Sequence, residues 1–168
     1  EHGLDYFLLK NSDIDSRLGN SYITWCIGGS YKNKRLPIEK IVSVCNKIKQ
    51  PIALIGGHQD INQADEIIRR SSNKQILNFC NESTLDRSAS IIKNSELVLT
   101  NDTGMMHVAA AFKKPIISFW GCTKPSFGFS PYQTKSQCIA IIAKDQYRPC
   151  SKYGKRCKNS VSCINEIS

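Results

Sequence analysis

Apolar residues along the chain fall into short continuous runs, and between the runs they recur at helical spacing. The runs at 22–27, 51–55, 75–79, 97–100, 116–120 and 138–143 are rich in Ile, Leu, Val, Trp and Phe, as strands buried on both faces are. Between them, Ile38, Ile41, Val42, Cys45 and Ile48 share one face of a helix predicted over 38–49, which Pro37 opens. A second helix is predicted over 60–70 with Ile61, Ala64, Ile67 and Ile68 inward. A third runs over 85–94 with Leu85, Ala89, Ile91 and Ile92 inward, capped by the polar group Asn81-Glu82-Ser83-Thr84. The fourth, 105–112, is rich in alanine and is closed by Lys113-Lys114-Pro115. Strands alternating with helices predict an α/β, Rossmann-like three-layer α/β/α domain on a parallel sheet.

The polar punctuation lies where such a sheet binds ligands. Gly28-Gly29-Ser30 ends the first strand and leads to Lys32, Lys34 and Arg35; Gly56-Gly57-His58-Gln59-Asp60 ends the second; Asn101-Asp102-Thr103-Gly104 ends the fourth. A parallel sheet brings these turns to its carboxyl edge, and a helix starting there points backbone N–H groups at an anion. Each feature also has a plainer explanation. Asp102 and Thr103 fit a simple helix cap with His107 packing one turn on. The Lys-Arg cluster fits a solvated surface, and Asp60 fits a cap as well as a ribose-binding carboxylate.

Composition narrows the class. A chain of 168 residues with 40% hydrophobic and 22% charged residues is of ordinary globular make-up, with no apolar run long enough to span a membrane, and its acidic, polar start leads to no expectation of a signal peptide. It reads as a leading segment or linker (1–21), a Rossmann-like domain (22–143) and a basic, cysteine-containing tail (144–168). The net charge of +9 favours anionic partners. No nucleic-acid-binding signature accompanies it, so nucleic acid is not expected. Cys26, Cys45, Cys80, Cys122 and Cys138 stand singly in apolar stretches and read as buried free thiols of a reducing compartment. Cys150, Cys157 and Cys163 in the tail lack the short paired spacing and the fourth ligand of a structural zinc site, so no metal is expected, with plain thiols or a redox-dependent bridge favoured.

Asp102-Thr103-Gly104-x-x-His107-x-Ala109-Ala110-Ala111, then Pro115 and an apolar strand ending Trp120-Gly121-x-Thr123-x-Pro125, resembles the signature of the lipopolysaccharide heptosyltransferases, glycosyltransferase family nine. The resemblance implies that 22–143 is the carboxyl-terminal, nucleotide-sugar-binding domain of a GT-B enzyme. It implies that Ser30, Lys34, Asp102, Thr103, Gly104, Met105 and His107 surround the donor diphosphate. It places Asp60, His58, Ser83, Thr84 and Leu85 around ribose and base, with the glycine- and proline-rich loop 121–132 bordering the pocket. It further implies an ADP-heptose-like nucleoside-diphosphate sugar as substrate, no required cofactor, and an inverting transfer whose general base lies in an amino-terminal domain. No catalytic residue is therefore expected in this chain. The acceptor would be a glycolipid reached through that domain, in the cytoplasm or at the inner face of the inner membrane. Gly3-Leu4-Asp5-Tyr6-Phe7 resembles the segment joining the two domains, so the chain is expected to begin mid-protein and to be inactive alone. The alternatives are a nucleotide-binding module without transfer chemistry and a basic nucleic-acid-binding protein.

Overall fold

A computed structural model describes residues 4–9, 15–80, 84–132, 137–144, 148–157 and 162–167. Six strands, β1 (Ile23–Cys26), β2 (Ile52–Ile55), β3 (Ile76–Asn78), β4 (Leu97–Asn101), β5 (Ile116–Trp120) and β6 (Cys138–Ile142), form one sheet in the order β3-β2-β1-β4-β5-β6. Every pairing is parallel, with Thr24 of β1 opposite Ala53 of β2 and Val98 of β4. Parallel strands need crossovers, and the helices α1 (Ile38–Cys45), α2 (Ile61–Arg70), α3 (Leu85–Asn94) and α4 (Gly104–Ala111) supply them.

The alternation of side chains along each strand separates two cores. Ile23, Trp25 and Ile27 point to one face, packed with Ile41 and Cys45 of α1 and Ala64 and Ile67 of α2. Cys26, Ala53, Ile55 and Val98 point to the other, packed with Ile91 and Ile92 of α3 and Met106, Ala109 and Ala110 of α4. This is the three-layer α/β/α arrangement expected from the sequence.

Two expectations shift. Helix α1 stops at Cys45 rather than 49, because Asn46 accepts hydrogen bonds from the Ser71 hydroxyl and the Ser72 N–H and thereby joins the loop after α2. The described part of the tail is not separate from the domain. Cys163, Ile164 and Ile167 are buried in the α1–α2 core, and Arg148 donates to the carbonyls of Gly121, Ala143 and Thr123. No helix among the described residues is long and apolar enough to cross a membrane.

Candidate functional site

The chain leaves β1 toward β2 on one side of the sheet, while β4 lies on the other side of β1. A crevice opens at the carboxyl ends of strands where the winding direction changes in this way. Here it measures about 370 Å³ and is lined by the turn Gly28-Gly29-Ser30, the turn Gly56-Gly57, Leu85 and Ser88 of α3, and Thr103, Gly104 and Met105 at the start of α4. The first N–H groups of α4 have no partner within their own helix and meet the crevice. Thr103 is the N-cap residue, yet its side chain makes no capping hydrogen bond; its hydroxyl lies 3.3 Å from that of Thr100. The floor includes Cys26, whose thiol burial pushes up to about 12, so at neutral pH it is a neutral lining group.

Asn101 shapes this crevice from behind. It is fully buried, its amide donates to the carbonyls of Ile27 and Gly28 at 2.9 Å, and its own carbonyl accepts from the Leu36 N–H at 3.2 Å. One side chain therefore ties the end of β4 to the β1 turn and to the loop that precedes α1.

Two buried ion pairs flank the crevice. Arg35 donates to Asp60 at 2.6 Å, and the other oxygen of Asp60 accepts from the Gly57 N–H at 2.8 Å. Asp60 is 1% exposed and forms part of the crevice wall, with both oxygens engaged; it makes no cap to α2. Lys34 meets Asp102 at 2.7 Å, and Asp102 also accepts from the Thr123 hydroxyl at 3.0 Å. The Lys34 ammonium lies 5.7 Å from the ring centre of Phe129. Lys34, which the resemblance placed at the donor diphosphate, is paired with Asp102 and lies outside the crevice lining.

Of the remaining expected residues, Ser30, Leu85, Thr103, Gly104 and Met105 line the crevice. Thr84 caps α3 by accepting from the Arg87 N–H at 3.3 Å. His58 is exposed and His107 half-buried, and neither lines the crevice. Ser83 lies outside the described residues. Asn101 and Ser88 carry no pattern of their own, and only the adjacency of Asn101 to Asp102 pointed toward the turn; Thr123 stood in the Gly121-x-Thr123-x-Pro125 signature, but its bond to Asp102 did not show in the sequence. A larger cleft, about 830 Å³, lies between the loop 32–38, α2 and the tail, with Gln59 shared between the two cavities.

The family description "Glycosyltransferase family 9 (heptosyltransferase)" matches residues 3–160. The chain is 33% identical over 95 residues to lipooligosaccharide heptosyltransferase 2 of Haemophilus influenzae, an alignment covering 54% of this chain and 27% of that protein. It thus spans about a quarter of the length of this curated relative. The fold is similar to that of a family 9 glycosyl transferase from Veillonella parvula, with TM-score 0.72 and 23% identity over 89% of this chain and 42% of the other. It is also similar to the E. coli heptosyltransferase WaaC with ADP, with TM-score 0.64 and 18% identity over 77% and 40% of the two chains.

Proposed function

The chain belongs to glycosyltransferase family 9, and from that premise we propose that it is the donor-binding half of an inverting, heptosyltransferase-type enzyme of lipopolysaccharide synthesis. The observation that carries this reading is the crevice where the β1 turn meets the start of α4. Glycines there let a ligand approach the backbone, and the free N–H groups of Gly104 and Met105 favour an anion.

In this reading the donor diphosphate sits against Ser30, Thr103 and the α4 N-terminus, as the resemblance implied. The negative charge that builds on the departing nucleoside diphosphate is met by preorganised backbone donors. A carboxylate beside an anion site would oppose binding, so the part of Lys34 is to neutralise Asp102 rather than to touch phosphate. Asp60 has both oxygens engaged and supports the Gly57 turn; the ribose then lies along Gly56, Gly57 and Leu85. His107 packs on the body of α4. The acceptor hydroxyl, the general base and any membrane-facing surface belong to an amino-terminal domain, and this half alone binds donor without turning it over.

Gly104 offers a clean test. It is the first residue of α4, a position that suits proline, and a Cβ built there meets nothing within 4 Å outside its own helix. Gly104→Pro removes one N–H donor and keeps the helix. Calorimetric titration with ADP, GDP and UDP, without added divalent ion, should show one preferred diphosphate. Its affinity should fall about tenfold in Gly104→Pro, the worth of a charge-assisted hydrogen bond, at unchanged melting temperature. Equal affinity of the two proteins, or no binding of any diphosphate by the folded wild type, would remove the basis for the reading.

A further inference from the structure

Four of the cysteines outside the crevice come together in space and are unexplained by nucleotide binding. Cys122 follows β5, whereas Cys150, Cys157 and Cys163 come from the tail, and their four sulfurs lie within 4.8 Å of one another. The three tail sulfurs form a nearly equilateral triangle with edges of 3.5, 3.5 and 3.7 Å. A tetrahedron with Zn–S bonds of about 2.3 Å has edges of about 3.8 Å. In a disulfide two sulfurs approach to about 2.05 Å; here each tail sulfur is almost equally distant from its two companions, as ligands of a shared centre are.

We propose that Cys122, Cys150, Cys157 and Cys163 form a mononuclear tetrathiolate site that takes a zinc ion. The fourth ligand that the tail lacks is Cys122, separated from Cys150 in sequence and joined to it by the fold: the Cys150 N–H donates to the Cys122 carbonyl at 3.1 Å. The site is closed, as structural zinc sites are, with Cys122 and Cys163 fully buried and Cys150 and Cys157 half-buried. Binding releases the thiol protons, and the resulting dianionic centre lies in a stretch of sequence carrying Lys152, Lys155, Arg156 and Lys158.

The ion would fasten the tail to the back of the Lys34 loop. Asn33 donates to the Gly154 carbonyl at 3.3 Å, and Gly154 packs against the Lys34 side chain. Gly121, next to Cys122, admits no side chain: a Cβ there would meet the Asn33 carbonyl oxygen at 2.6 Å and Ile164 Cβ at 2.7 Å. The site stands independently of the donor-binding reading.

The test is metal analysis and native mass spectrometry of the purified chain after exposure to zinc and removal of excess ion. The expected result is about one zinc per chain, released when thiols are modified, with a tetrahedral thiolate spectrum when Co²⁺ replaces it. Cys122→Ser should lose the ion, Cys163→His should keep it because imidazole is also a zinc ligand, and Cys138→Ser should keep it because that exposed residue lies outside the cluster. If Cys122→Ser fails to fold, the stoichiometry and Co²⁺ spectrum of the wild type decide. A folded wild type that takes up no zinc, carries iron instead, or has lost two hydrogens to a disulfide within the cluster overturns the proposal.

Discussion

A charged side chain buried beside a glycine turn can serve the ligand or the turn, and its partners decide which. Asp60 holds Arg35 and the Gly57 N–H at once. Asp60→Ala strands a largely buried guanidinium and an unpaired N–H, so unfolding free energy in urea should fall by about 3 kcal/mol, the lower end for a broken buried pair because Arg35 is 22% exposed. The buried thiols make a second prediction. Burial pushes Cys26, Cys45 and Cys80 up to about 12, whereas an unfolded thiol ionises near 8.5. Their folded pKa is raised, so the stability they contribute is fully present below about pH 8.5 and declines as pH rises from there toward 12. Denaturation midpoints should fall across that alkaline window. Alkylation at pH 8 followed by peptide mapping should label exposed Cys138 before any of the three.

At the scale of elements, α3 and α4 begin with the same residue type used in different ways. Thr84 caps α3, whereas the side chain of Thr103 caps nothing and faces the crevice. Thr84→Ala should therefore cost about 1 kcal/mol of stability. Thr103→Ala should cost less than about 0.5 kcal/mol, as substitutions away from caps and cores do, while weakening diphosphate binding. Urea unfolding and calorimetric titration of the two variants separate a helix cap from a ligand contact. The turns carry a similar division of labour: at Gly56 a Cβ would meet Asp60 Cβ at 2.7 Å, so that glycine makes room for the buried acid beneath the turn.

For the whole molecule, Arg148 joins the tail to the sheet by donating to the carbonyls that follow β5 and β6. Arg148→Ala leaves buried carbonyls without their donor, each worth about 1 to 3 kcal/mol. The melting temperature should drop by roughly 5 °C or more for a domain of this size, measured by calorimetry. A drop of that size would establish that the tail stabilises the domain rather than trailing from it.

The alternation of apolar runs and helical faces determined the α/β class, the strands and the four helices, because burial of both sheet faces writes itself into local periodicity; β6 was legible from its apolar run alone, and as an edge strand it is largely exposed rather than buried on both faces. The turns of the crevice were legible for the same reason: glycines and capping residues punctuate strand ends, and Thr103-Gly104-Met105 lies where that punctuation put it. What spacing could not decide was pairing across distance. That Lys34 meets Asp102, that Asp60 meets Arg35, that Asn101 reaches back to β1, and that Cys122 completes a cluster begun at Cys150 depend on the β1–β4 and β1–β2 adjacencies and on the tail folding back over the loop after β5. Such contacts join residues far apart in sequence, where no local period records them, and only the packed chain brings their charges and sulfurs within bonding distance.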